Sequence, residues 1–260
     1  MIKNIKTLDQ ETIIDLLYGK AHFCSLGCVF DENITGFWYQ NTLKHEIGRY
    51  HNAPLIKRIG MAYYESMENE NLRKSYYENA NKNNLLIKEI TFPYISPIDY
   101  IIFYLDIVWN QGCKRAVFED YKTSSGLIRV LNEKSDIEPH QDVFRRDNYQ
   151  LWQNLPIKEQ IAFNCFLSVA DEGGEMEIWD FKPSDEEYRR LQHKDEKLRY
   201  GLDRNKVFSK KIEHRPKLGE IVLFNAGYLH AVKKVKRGNR LSISSFIGII
   251  DGSDELVVWS

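Results

Sequence analysis

Two hydrophobic rhythms divide the chain. Across about the first hundred residues, apolar positions cluster at helical spacing. TLDQETIIDLLYG (7–19) offers Thr7 or Asp9 as a cap and a charged first turn, then Ile13, Ile14, Leu16 and Leu17 for burial. APLIKRIGMAYYESM (53–67) and ENLRKSYYENANK (70–82) read as two further helices with mixed faces. SPIDYIIFYLDIVWNQG (96–112) opens on serine and proline and stops near Gly112, as a buried helix should. After that the rhythm shortens. RAVFED, GLIRVLN, IAFNCFLSV, GEMEIWD, EIVLFNA, HAVKKV, RLSISSFIGII and ELVVW are short, rich in β-branched or aromatic residues, and separated by turn residues, as strands are.

Helices first and strands afterwards predict an α+β fold with an antiparallel sandwich or jelly-roll core buttressed by helices. Residues 1–260 read as one domain, with 1–112 as mainly helical support and 113–260 as the core; there is no internal repeat or low-complexity linker. One stretch breaks the strand rhythm. Residues 181–210 are strongly charged, with Ser184 placed as a cap before Asp185 and Glu186. A long excursion between strands predicts a lid over a functional site.

Composition narrows the function classes. A formal net charge of -1 gives no electrostatic case for nucleic acid or an anionic membrane as partner. The longest apolar run, YIIFYLDIVW at 100–109, is too short to span a bilayer and contains Asp106. The N-terminus lacks the apolar core of a secretory signal. Cys24, Cys28, Cys113 and Cys165 do not make a disulfide scaffold, and the lone CxxxC is a weak zinc signal. The expectation is a cytoplasmic protein with reduced thiols.

The chemistry starts at EPHQDVF, 138–144. Pro139 blocks a helix, and in an extended segment His140 and Asp142 point one way while Gln141 points the other. One imidazole and one carboxylate can then meet a single cation. A second H-x-D, His193 and Asp195, lies in the charged excursion, where helical geometry would separate the two side chains. Of the remaining histidines, His22, His45 and His51 lie in the helical part and His214 in a polar run. His230 is carried from strand to strand by GEIVLFNAGYLHAV, and completes a two-histidine, one-carboxylate set suited to Fe(II). Ten positions on stands Arg240. If 240–246 is a strand, Arg240, Ser242 and Ser244 share one face, opposite Leu241 and Ile243. A guanidinium turned into a barrel interior needs a counter-charge, and a bound carboxylate supplies one.

The set His140, Asp142, His230 and Arg240 resembles the Fe(II)/2-oxoglutarate-dependent oxygenases. GGEMEIWD is similar to that family's GGE-containing core strand, and Arg240-Leu241-Ser242 to its R-x-S. The resemblance covers 126–250. It implies a double-stranded β-helix and Fe(II) held by His140, Asp142 and His230. It also implies that 2-oxoglutarate is held by Arg240 and Ser242, and that O2 is the co-substrate. The implied reaction is oxidative decarboxylation to succinate and CO2, coupled to oxidation of a substrate C–H. Related halogenases carry a small residue where Asp142 stands, making room for chloride, so the resemblance favours hydroxylation.

Asn164 and Arg129, polar interruptions of apolar strands, are further candidates to contact 2-oxoglutarate or substrate. Trp179 is expected to fill the core, and Trp259 to anchor a C-terminal strand. Subfamily likeness points to a small-molecule substrate, an amino acid or natural-product intermediate. His45, Arg49, His51, Glu119, Arg145 and Arg146 are the candidate side chains to grip it. A peptidyl-prolyl hydroxylase is the alternative. A non-catalytic or cupin-type metal-binding jelly roll is the second, though a cupin would more often show H-x-H and has no reason to bury Arg240. Nothing in the sequence sets the number of chains.

Overall fold

Alternation along two long strands fixes the architecture. In Ile157–Ser168 and Arg240–Ile250, Ile161, Phe163, Cys165 and Leu167 face the same layer as Leu241, Ile243, Ile247 and Ile249. Ala162 and Phe166 face the other way, with Met176, Ile178 and Phe224. The first layer is covered by helices and the second by another sheet. This is the jelly roll expected from the strand pattern. The computed structural model describes residues 2–4, 7–50, 53–147, 157–192 and 201–260.

The large sheet runs in the order 2–4, 23–28, 220–225, 157–168, 240–250, 127–131, 57–59 and 48–49. The strand at 256–259 pairs with the far end of 240–250, and 113–115 pairs parallel to 256–259. The smaller sheet runs 211–214, 176–179, 230–232 and 137–140. Its last two strands carry the two histidines singled out above.

Helices at Gln10–Leu17, Glu32–Thr42, Glu70–Thr91 and Pro97–Val108 start on side-chain caps from Asp9, Asp31, Asn69 and Ser96. Asp9, rather than Thr7, accepts from the Thr12 N–H at 2.8 Å. Leu16, Leu17, Trp38, Ile90 and Ile101 are fully buried against the sheet. Burying each aliphatic side chain is worth roughly 2 kcal/mol, and that burial, more than helix propensity, holds this layer.

Two expectations need correction. Residues 53–67 are not a helix: they form the strand Lys57–Ile59 and a 3-10 turn at Tyr63–Met67, separated by Gly60 at φ +92°. The N-terminal part is also not purely helical. Phe23–Cys28 inserts into the large sheet beside Glu220–Asn225 and brings Ile2–Asn4 in parallel. Trp259 and Trp179 are buried as expected, Trp259 against Phe118, Phe144 and Phe246. All four cysteines are free thiols. Among the described residues no helix is long and apolar enough to cross a membrane.

The charged excursion starts as predicted. Ser184 and Glu187 form a capping box ahead of the helix Asp185–Leu191. Its return limb is fastened to the smaller sheet: Leu202 N–H donates to Pro139 O at 2.7 Å, and Arg204 and Lys211 close on the buried Glu177. His193 and Asp195 lie outside the described residues.

Candidate active site

His140 ends one strand and His230 opens the next, and the two are direct partners across the ladder. Cross-strand partners project to the same side, so the ring centroids lie 4.2 Å apart. Asp142 Oδ2 stands 3.3 Å from His230 Nε2 and 3.8 Å from His140 Nε2. The three donor atoms all lie within 4.8 Å of one another. Each ring is oriented by the carbonyl two residues before it. Nδ1 of His140 donates to Glu138 O at 2.8 Å, and Nδ1 of His230 to Tyr228 O at 2.9 Å. A carbonyl only accepts, so Nδ1 carries the proton and Nε2 keeps its lone pair.

Electrostatics agree with that role. Burial, reinforced by His230, pushes the His140 pKa down to about 3. Burial alone would raise the Asp142 carboxyl, but both imidazoles and Arg129 outweigh it and hold it well below the usual carboxylate range. Gln141 points away from the ligands and pins the segment: its Nε2 donates to Pro183 O at 3.1 Å and Gly227 O at 2.7 Å. The Asp142 N–H donates to Ala226 O at 2.9 Å. The loop after His140 is thereby tied to the turn before His230.

Deeper in the barrel lies Arg240, 3% exposed, with its guanidinium 5.0 Å over the Phe166 ring. Its Nε is buried without a hydrogen-bond partner, and no acceptor for the guanidinium occurs among the described residues. Burial, with repulsion from Arg129, pulls its pKa down to about 9. A cation so placed is costly unless a carboxylate meets it. Around it the interior face is polar. Ser242 Oγ lies 3.3 Å from Ser244 Oγ, which donates to Asn164 Oδ1 at 2.7 Å. Arg129 is the cross-strand partner of Ser242 and donates through Nε to the Tyr50 hydroxyl at 3.3 Å. The donor set fits an Fe(II) ion, and the uncompensated guanidinium fits the distal carboxylate of 2-oxoglutarate.

The "GG" of GGEMEIWD has a steric basis near this point. Gly173 sits at φ +77°, and a Cβ there would run into the Lys234 carbonyl. That close approach lets Glu172–Gly173 pair with Val235–Arg237, in the connection between the His230 strand and the Arg240 strand.

A cavity of about 500 Å³ opens in front of His140 and Asp142. Tyr50, Ile56, Tyr64, Ile137 and Tyr188 make its walls, and the Tyr50 and Tyr64 rings stack 6.3 Å apart. Arg146, Asp147, Asp185 and Arg189 also line it.

Residues 113–260 match the family described as carrier-protein-independent halogenase WelO5. The chain belongs to that family. It is an Fe(II)/2-oxoglutarate oxygenase, as the metal site and its relatives agree. The L-gamma-glutamyl-L-propargylglycine hydroxylase of Streptantibioticus cattleyicolor is 28% identical over 168 residues, which are 63% of this chain and 59% of that relative. The match therefore spans less than two thirds of that hydroxylase. Leucinostatins biosynthesis cluster protein S of Purpureocillium lilacinum is 26% identical over 228 residues, 81% of this chain and 89% of its own length. The N-substituted L-amino acid dioxygenase of Burkholderia ambifaria AMMD superposes with a TM-score of 0.62 at 16% identity, covering 95% of this chain and 90% of that one. That likeness is one of fold.

Within this WelO5-family oxygenase the predicted site residues separate into those at the cavity and those elsewhere. Arg129 and Arg146 line the cavity. Arg129 is not on an edge strand; Leu127–Leu131 lies between Arg240–Ile250 and Lys57–Ile59. Arg145 turns outward and pairs with Asp185 at 2.8 Å. Glu119 is in the turn between Val117–Phe118 and Tyr121–Lys122, accepting from the Tyr77 hydroxyl at 3.0 Å. His45 follows the helix Glu32–Thr42, and Arg49 is exposed on the edge of the large sheet. Glu119, His45 and Arg49 are not among the residues lining this cavity. His51 lies outside the described residues. Sequence reasoning missed Tyr50, Tyr64, Asp147 and Tyr188. Tyr50 stands in the sequence between Arg49 and His51, both already singled out, and Asp147 follows Arg146, but periodicity alone could not show that these segments converge.

Proposed function

We propose that this oxygenase hydroxylates a C–H bond of a small amino acid or related natural-product intermediate, releasing succinate and CO2. The observation that carries this reading is the Asp142 carboxylate beside both Nε2 atoms, the position that a halogenating site needs for chloride. The family's name favours halogenation as the second reading, and Asp142 argues against it. With O2 as the oxidant, a bound Fe(II) with 2-oxoglutarate would supply the oxidising chemistry, one oxygen atom going to succinate and one to the substrate. The chain's own residues do the rest. His140, Asp142 and His230 hold the ion, with Nδ1 protons fixed on Glu138 O and Tyr228 O. Arg240 and Ser242 orient the distal carboxylate, with Asn164 and Arg129 nearby. Tyr50, Tyr64 and Tyr188 exclude water from the face where substrate lies. A hydroxylase and an amino acid dioxygenase among the similar proteins support the substrate class. The whole reads as one catalytic domain.

The test is made under nitrogen. Adding Fe(II) and then 2-oxoglutarate should give the weak visible charge-transfer band of a chelated keto acid, absent when His140 and His230 are both replaced by alanine. With O2 admitted, succinate release is screened across amino acids and then peptides in chloride buffer, and products are read by mass. Gain of one oxygen on a small molecule is the expected result. Gain of chlorine, or stimulation by peptides alone, overturns the assignment.

A further inference from the structure

The charged side chains lining the cavity bear on what is hydroxylated, an inference that rests on the hydroxylase reading. Asp147 Oδ2 accepts from the Val143 N–H at 2.9 Å, and Oδ1 accepts from Arg146 Nε at 3.1 Å. That guanidinium is heavily shared. It also donates to Gln141 Oε1 at 2.5 Å and Gln141 O at 2.7 Å, and lies 4.1 Å over the Tyr188 ring. Asp147 lines the cavity, and each of its oxygens, with one hydrogen bond, keeps further acceptor capacity. A carboxylate on a cavity wall in that condition is a receptor for a cation that can also donate hydrogen bonds.

Arg189 lines the same cavity. It is exposed on the helix Asp185–Leu191, and its Nε donates to Asp185 O at 3.0 Å. Its terminal nitrogens have no acceptor among the described residues, while Asp185 is engaged by Arg145. Tyr50, Ile56 and Tyr64 line the same cavity as His140 and Asp142. We propose that the substrate binds as an α-amino acid zwitterion, its ammonium on Asp147 and its carboxylate on Arg189, with its side chain laid along Tyr50, Ile56 and Tyr64 towards the metal ligands. Asp147 and Arg189 are then specificity-determining residues.

Calorimetric titration of the full chain, with Fe(II) and 2-oxoglutarate under nitrogen, tests this without turnover. The probes are L-leucine, L-methionine and L-phenylalanine, each with its N-acetyl derivative and its methyl ester. At least one free amino acid should bind, and acetylation should weaken it by roughly ten- to hundred-fold, the usual worth of a charged hydrogen bond. Asp147→Asn keeps an acceptor for the Val143 N–H, so it should fold, and it should erase the acetylation penalty. Asp147→Glu should retain most of it. Arg189→Gln, a surface change, should erase the ester penalty and leave the acetylation penalty. Equal binding of acetylated and free forms, an unchanged penalty in Asp147→Asn, or no binding by any probe overturns the proposal. The two readings fail separately. Succinate release driven by an amine-free small molecule would sink the zwitterion site alone. Discrimination by Asp147 in a protein that gives no keto-acid band would sink the hydroxylase alone.

Discussion

Replacing Arg240 with methionine should make the ligand-free protein more stable and the 2-oxoglutarate complex weaker. The charge is buried with no acceptor for it among the described residues. Its pKa falls from 12.5 to about 9. At about 1.4 kcal/mol per unit, that is on the order of 5 kcal/mol against the charged form. Because the folded value of a base is lowered, this cost is present in full below pH 9 and fades as pH rises towards 12.5. Stacking over Phe166 returns about 1–2 kcal/mol. Methionine keeps the apolar stem, leaving a net gain of roughly 3–4 kcal/mol at neutral pH, or about 6–16 °C in Tm for a chain this long. The wild type has the compensating advantage when ligand is present. Saturating 2-oxoglutarate at about a hundred times Kd adds about 2.7 kcal/mol, and loss of a bidentate contact should raise Kd at least roughly a hundred-fold. Thermal melts of both proteins, with and without Fe(II) and 2-oxoglutarate under nitrogen, read both effects. A variant that melts below wild type in ligand-free buffer, or that 2-oxoglutarate stabilises equally, would refute the reasoning.

Two further outcomes follow from the site. Gln141→Leu strips the Pro183 and Gly227 carbonyls of a buried donor, at about 1–3 kcal/mol each; Tm should fall, and less iron should survive gel filtration. The metal-free protein should lose stability on acidification from pH 6.5 towards 4, by about 1.4 kcal/mol per unit from His140 alone, because the unfolded imidazole takes a proton that the folded one refuses. Urea titrations across that range should show this slope reduced in His140→Gln; an unchanged slope would assign it to other groups.

The jelly roll was legible because its central strands are buried on both faces, and RLSIS at 240–244 alternates polar and apolar side chains. The N-terminal strand was not. FCSLGC has little β-branched character and becomes a strand by pairing with Glu220–Asn225, a contact made across most of the chain. In 53–67, helix-like apolar spacing was overruled by Gly60 and by pairing of Lys57–Ile59 with Leu127–Leu131. The metal ligands could be read from spacing because period-two geometry in one segment and one turn in another decide where they point. The cavity could not, since Tyr50, Tyr64, Asp147 and Tyr188 come from separate segments whose meeting depends on the finished barrel.

His140 and His230 face each other across a sheet ladder, so the bite of the chelate is a lattice spacing and not a loop conformation. Segments around 50–64, 145–147 and 185–192 can therefore diverge to admit new substrates while the ion's grip stays constant. A slip of one residue between those two strands would instead turn one ring to the far side of the sheet, leaving the pair unable to share an ion.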